Sequence, residues 1–242
     1  MTEKKGERIA KVIARAGLCS RRDAEKLIAE GRVLLDGKKL DTAAVTVGPA
    51  NIIRVDGKVL PKPEPPRLYR YHKPRGRVTT SRDPEGRPTI YDDLPKGLPR
   101  LQPVGRLDLN SEGLLLLTND GGLKRQLELP SSALVRRYRV RVYGQVDEER
   151  LAGLQKGTVI DGFSYGPIEA EIERRTGTNT WLIMALQPAH LTLGRLCVGT
   201  FAALSMVGSG FAVICGVSLY FSRLKLKRSR HASHPSAGES RS

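Results

Sequence analysis

The residue types best able to do chemistry lie close together in Val104-Gly-Arg-Leu-Asp-Leu-Asn-Ser-Glu-Gly113. Arg106 and Asp108 stand two apart, and in an extended segment that spacing sends both side chains to one side. A carboxylate so placed can act as a nucleophile or a base. A guanidinium beside it can hold a phosphate through charge-assisted hydrogen bonds. Taken alone, an Asp in a Leu-Asp-Leu-Asn-Ser-Glu run reads as a turn former or helix cap. A second candidate is Tyr138, in a stretch where Tyr138, Val140 and Val142 alternate with Arg137, Arg139 and Arg141. That pattern predicts a half-buried strand with a basic outer face, and an aromatic ring on its apolar side suits a core or a pocket wall. Other reactive types are scattered. Cys19, Cys197 and Cys215 form no Cys-x-x-Cys, and the four His at 72, 190, 231 and 234 offer no metal-ligand spacing before the tail. Neither a disulfide scaffold nor a metal centre is expected.

The partner class follows from charge. The 242 residues carry 41 Lys and Arg against 25 Asp and Glu, a net charge of +16. A surface this basic favours a polyanion, most simply nucleic acid or an acidic membrane face. Aromatic residues are only 5% of the chain, which argues against long stacking stripes. The first residues, Met1-Thr-Glu-Lys-Lys-Gly-Glu-Arg8, lack the apolar stretch of a signal peptide, so a cytoplasmic location is expected.

The elements that must position these residues divide into two units. Ile9, Val12, Ile13 and Ala16 recur at helical spacing, and Gly17 ends that helix. Ser20 stands three residues before Asp23 as an N-cap pair. The second helix turns Ala24, Leu27 and Ile28 inward and Arg21, Arg22 and Lys26 outward. Asp36-Gly37 and Asp56-Gly57, each between short apolar runs, predict two hairpins. Residues 1–60 therefore form a small helix-helix-hairpin domain, and Pro61-Lys-Pro-Glu-Pro-Pro66 lies in a stiff linker over 61–67. A second domain is expected over 68–187. Gly113–Thr118 is a short apolar run suited to a buried strand. Leu123–Leu129 looks helical, Asp147 caps a helix with Leu151 and Leu154, and Ile168–Glu173 and Thr180–Leu186 read as strands. Strands outnumber helices and their links are short, so the fold class is α+β: a small domain followed by a mixed, mainly antiparallel sheet.

Two resemblances add to this reading. The run from Ser20-Arg-Arg-Asp-Ala-Glu-Lys-Leu-Ile-Ala-Glu-Gly to Asp36-Gly37 resembles an S4 RNA-binding domain. That likeness implies RNA contacts from Arg21, Arg22 and Lys26 on the helix and Lys38 and Lys39 on the hairpin. The 18 residues Val104–Gly121 resemble the catalytic segment of the RsuA/RluB-type ribosomal RNA pseudouridine synthases. Tyr71-His-Lys-Pro-Arg-Gly76 is similar to that family's Lys-Pro-x-Gly motif, and Arg136-Arg-Tyr138-Arg-Val is similar to the strand presenting its base-stacking Tyr. The motifs follow the family's order over roughly residues 7–187. The resemblance implies a catalytic Asp108 and a Tyr138 that stacks on the flipped base. Arg106, by its spacing from Asp108, is a candidate substrate contact, and Lys73 is expected to be structural or to face a substrate phosphate.

The implied reaction breaks a C–N glycosidic bond and remakes it as C–C on the same sugar. Nothing is transferred in or out, so no cofactor is expected. One carboxylate must sit beside a base drawn out of the RNA stack, which costs a few kcal/mol. Stacking on an aromatic face returns about 1–3 kcal/mol. The implied substrate is ribosomal RNA, with the large subunit favoured, either free or in a ribosome assembly intermediate. A monomer is expected. The competing readings are an S4-type RNA-binding protein with an inactive catalytic domain and a membrane-tethered RNA binder.

The likeness fails after Gln187. The family continues with a basic helix that supplies a cation to the catalytic Asp and then with further core elements. Here Pro188-Ala-His-Leu-Thr-Leu-Gly-Arg-Leu-Cys-Val follows instead. Leu196–Phe221 is 26 residues without a charge, and Arg223-Leu-Lys-Leu-Lys-Arg-Ser-Arg230 comes next. Three readings compete for residues 188–242: out-of-frame translation, an unusual soluble core, or a fusion or divergent segment with a role of its own, such as a membrane anchor through 196–221. The last is long enough to span a bilayer, although its glycines and hydroxyl residues dilute its apolar character.

Overall fold

The computed structural model describes residues 6–160 and 163–186. The readings made for residues 188–242, including the membrane segment at 196–221, lie outside the described residues.

The first unit begins with β1 (Glu7–Arg8) and α1 (Ile9–Arg15), which buries Ile9, Ala10 and Ile13. Then α2 (Arg21–Ala29) starts at a full capping box: the Ser20 hydroxyl accepts from the Asp23 N–H at 3.1 Å, and the Asp23 carboxylate accepts from the Ser20 N–H at 3.3 Å. Two of the helix's orphan donors are satisfied this way, so the short helix needs only Ala24 and Ile28 as its buried anchors. The strands β2 (Val33–Leu35), β3 (Lys38–Lys39), β4 (Thr46–Val47), β5 (Ile53–Val55) and β6 (Lys58–Val59) follow. A four-stranded antiparallel sheet has the order β3-β2-β5-β6, while β1 pairs with β4.

Both hairpins turn where expected. Asp36 and Gly37 have φ of 50° and 83°, and Asp56 and Gly57 have 50° and 77°. Positive φ at both central positions is what a two-residue hairpin of this hand requires. Each Asp also makes side-chain bonds that help hold the turn. Asp36 accepts from the Ile52 N–H at 2.8 Å, and Asp56 takes a two-pronged hydrogen bond from Arg32 with both contacts at 2.7 Å. Ile9, Ile13, Ala24, Ile28, Val33, Val47, Ile53 and Val55 close the core of this unit.

No helix or strand intervenes between β6 and β7 (Leu68–Lys73). β8 (Gln102–Val104) and β9 (Gly113–Thr118) complete an antiparallel sheet of order β7-β9-β8. The central strand carries Leu114-Leu-Leu-Leu117 and is buried on both faces, as a short continuous apolar run requires. α3 (Gly121–Glu128) starts two residues earlier than the apolar pattern suggests, because Asp120 accepts from the Leu123 N–H at 2.6 Å and draws both glycines into the first turn.

The chain continues through β10 (Arg136–Tyr143), α4 (Glu148–Gly153), β11 (Thr158–Ile160), β12 (Phe163–Tyr165), β13 (Ile168–Thr176) and β14 (Asn179–Leu186). β14 lies between β10 and β13, antiparallel to both. The alternation in β10 is as expected, with Tyr138, Val140 and Val142 buried. They join Leu115, Leu117, Leu151, Leu154, Leu182, Met184 and Leu186 in one core cluster that unites the two sheets with α4. Each fully buried Leu, Val or Met contributes about 1.5–3 kcal/mol from removal of apolar surface from water, so this cluster fixes the geometry of the loop between β8 and β9. Among the described residues no helix is long and apolar enough to cross a membrane.

Candidate active site

The loop between β8 and β9, residues 105–112, is held from several directions. At its start the Gly105 N–H donates to the Glu128 carboxylate of α3 at 2.8 Å. Leu107 is buried in the core cluster, and Thr79 clamps its backbone: the Thr79 hydroxyl donates to the Leu107 carbonyl at 2.7 Å, and the Leu107 N–H approaches the same hydroxyl at 3.2 Å. The Gly76 N–H donates to the Leu109 carbonyl at 2.8 Å, and the Ser111 N–H donates to the Asp108 carbonyl at 3.1 Å.

Lys73 completes the arrangement from beneath. Its ammonium donates to the carbonyls of Asp108 and Ser111, each at 2.8 Å, and of Pro74 at 3.1 Å. Its side chain is fully buried. Of the structural and phosphate-facing roles open to Lys73, this placement matches the structural one: a buried ammonium engaged by backbone carbonyls holds the loop. A buried charge is tolerated only when its donors are satisfied, and three carbonyls do that here.

On the held backbone, Leu107 points into the core while Arg106 is exposed and Asp108 half-exposed. Arg106 and Asp108 thus flank one buried residue. Among the described residues no hydrogen bond or ion pair reaches the Asp108 carboxylate. A carboxylate on a braced backbone with open coordination is suited to meet a ligand atom rather than to cap a turn.

Of the two roles open to Tyr138, core residue or pocket wall, its burial matches the first. It is only 4% exposed and belongs to the same core cluster as Leu107. In this conformation its ring packs as core and shows no open face on which a base could stack. The apolar side of β10 is the reason, because that side packs into the core cluster with Leu107, Leu115, Leu117 and Met184.

The five basic residues expected to meet RNA are all exposed: Arg21, Arg22 and Lys26 on α2, and Lys38 and Lys39 on β3. The Lys39 stem lies across Gly31, where a Cβ would come within 1.9 Å of it and where φ is +69°. The positive φ is what favours glycine there, since the exposed end of the Lys39 chain can move aside. Cys19 is half-buried against the first core, where burial pushes its thiol pKa up. Two contributors to the site were not anticipated. The Thr79 clamp joins residues 28 apart in sequence and carries no local signature. The Glu128 contact joins α3 to Gly105 across 23 residues.

Comparison with known proteins bears on the family. The family model for RNA pseudouridylate synthases matches residues 67–181, and that for the S4 domain matches residues 7–53. The chain is 48% identical over 180 residues to an uncharacterized RNA pseudouridine synthase of Rickettsia felis, covering 74% of this chain and 78% of that one. It is 42% identical over 187 residues to the ribosomal large subunit pseudouridine synthase B of Pasteurella multocida, covering 75% of this chain and 54% of the relative. A crystal structure of a pseudouridylate synthase superposes with a TM-score of 0.55 at 22% identity, covering 88% of this chain and 87% of the other, and so shares its fold. The protein belongs to the RNA pseudouridine synthase family and carries an S4 RNA-binding domain at its N-terminal end.

Proposed function

We propose that this chain converts a uridine of large-subunit ribosomal RNA to pseudouridine, with Asp108 as the group that meets the sugar or ring of the flipped nucleotide. The observation that carries the reading is the loop at 105–112. Its backbone is fixed by Lys73, Thr79, Gly76 and Glu128, yet the Asp108 carboxylate has no partner among the described residues. Positioning of this kind accounts for several kcal/mol of barrier reduction in catalysis generally.

In the reaction the C1′–N1 bond of the target uridine breaks and a C1′–C5 bond forms. C5 gives up its proton to solvent and N1 takes one up, so the product is an isomer. Asp108 meets this sequence as the attacking carboxylate or as the base. Arg106, exposed two residues away, is set to hold the target's phosphate while it does so. The preference for the large subunit is supported by the name of the Pasteurella multocida relative. The substrate is free ribosomal RNA or an assembly intermediate, the protein acts as a monomer, and its location is the cytoplasm.

The test uses ribosomal RNA that lacks pseudouridine and carries tritium at uridine C5. The chain as it stands releases tritium to water. Asp108→Asn, which preserves size and most hydrogen bonding, releases none and binds the RNA within a few-fold of the parent. Release by the variant near the parent rate would remove Asp108 from the chemistry. RNA binding by the parent with no release would favour the reading of an RNA-binding protein with an inactive catalytic domain.

A further inference from the structure

The S4 unit and the catalytic unit face each other across a cleft of about 680 Å³. One wall is made by α1 and the start of α2, with Lys11, Arg15 and Arg21; the other by residues 100–103 and α3, with Arg100, Lys124 and Arg125. Three of these six cations are already matched. Glu7 pairs with both Lys11 and Arg15, and Glu128 pairs with Lys124. The Lys11 hydrogen bond, with Arg15 nearby, holds the Glu7 carboxyl below its usual range, so it remains charged. The carboxylate of Asp120, also in the cleft, is used on the first turn of α3.

Arg21, Arg100 and Arg125 remain. All three are exposed, and none of their guanidinium groups enters a hydrogen bond or ion pair among the described residues. Arg21 reaches across the cleft to the start of α3, where a Cβ on Gly121 would lie 3.8 Å from its Nη2. The Asp23 carboxyl of α2 is held below its usual range chiefly by its hydrogen bonds with Ser20, and Arg100, from the other wall, is near enough to add a smaller contribution. The unmatched cations of the two units therefore converge on one space.

We propose that this cleft is a composite phosphate-binding site for the RNA backbone, shared between the two units, in which Arg21, Arg100 and Arg125 each contact the substrate strand. The inference rests on the reading of RNA as substrate and names where the strand enters. Arginine is the side chain best matched to phosphate, through its planar fork of donors. The volume falls within the range of sites that hold small ligands. The cleft also lies close to the chemistry. Pro103, in its wall, is five residues from Asp108, so their Cα atoms are at most about 18 Å apart. A strand gripped in the cleft is thus delivered to the braced loop. The two units, joined by a proline-rich linker, are held in one register by the substrate itself.

The experiment titrates a fluorescein-labelled RNA hairpin with the full chain at a series of salt concentrations. Each phosphate contact contributes roughly 0.7–0.9 to the slope of log affinity against log salt. Arg100→Gln/Arg125→Gln should therefore lower the slope by about 1.4–1.8. If the curves converge near 1 M salt, affinity at 0.1 M should fall by about 25- to 60-fold. Glu7→Gln, which releases Lys11 and Arg15 into the cleft, should steepen the slope and tighten binding. Arg70 is exposed on β7, at the opposite edge of the sheet from β8, and serves as the comparison. An unchanged slope in the double variant, an equal loss with Arg70→Gln, or weaker binding with Glu7→Gln would each overturn the proposal. Every readout is binding, so variants that weaken affinity as predicted, alongside a parent chain that releases no tritium, would leave the cleft standing and refute only the catalytic reading.

Discussion

Replacing Lys73 by Met separates a residue that holds the catalytic loop from one that touches substrate. Met keeps most of the buried stem and removes the ammonium. The Asp108 carbonyl keeps its bond from the Ser111 N–H at 3.1 Å and is not orphaned. The Ser111 carbonyl, on a buried residue, loses the ammonium that now serves it at 2.8 Å, while the carbonyl of the exposed Pro74 can turn to water. An unsatisfied buried acceptor costs about 1–3 kcal/mol, and removing an ammonium that had itself been taken out of water offsets part of the loss. The net expectation is a destabilisation of about 1–2 kcal/mol in the unit that contains the site. For a chain of this size each kcal/mol lowers the melting temperature by about 2–4 °C, so the transition should fall by roughly 2–8 °C. Catalysis should suffer independently, since a misplacement of about 1 Å can cost 10²-fold. At a temperature where the variant is folded, kcat should fall by about that factor while RNA affinity stays within a few-fold. Thermal unfolding together with tritium release checks both arms. A variant with unchanged stability but weakened RNA binding would refute the reasoning and restore Lys73 as a substrate contact.

Two further outcomes follow from the same geometry. Converting Arg22 and Lys26, both exposed on α2, to Gln should lower the salt slope of RNA binding by roughly 0.7–0.9 for each phosphate no longer bound, and an unchanged slope would mean that this helix face meets only solvent. The Arg87 guanidinium and backbone N–H bonded to Asp83 hold that carboxyl down to about 2. Its contribution to stability is therefore present above the usual value of about 3.9 and is lost as pH falls from there towards 2. The melting difference between the parent and Asp83→Asn should be flat above about pH 5 and shrink across that window, whereas a difference independent of pH would show that the pair is not linked to folding.

What was legible in the chain was whatever a few neighbouring residues decide. Ser20 and Asp23 are three apart and cap α2 as a pair; Asp36-Gly37 and Asp56-Gly57 set two hairpins by backbone sterics; the alternation in β10 names its buried face. The exposure of Arg106 and Asp108 on either side of the buried Leu107 is of the same local kind. The features that change the account of the site are instead made by partners distant in sequence. Lys73 reaches carbonyls 35 and 38 residues away, and only the pairing of β7 with β9 brings it there. A Lys-Pro-x-Gly string reads equally well as a phosphate contact or as a loop brace, and burial alone separates the two. The same holds for Tyr138, where alternation correctly assigns the ring to the apolar side but says nothing of how tightly the core packed against that side closes over it. The cleft arginines carry no motif at all. Arg100 sits in an irregular segment and Arg125 on a short helix, and each is ordinary until the fold sets it opposite Arg21. The braced carboxylate could thus be found from its neighbours, whereas the path that leads RNA to it belongs to the fold.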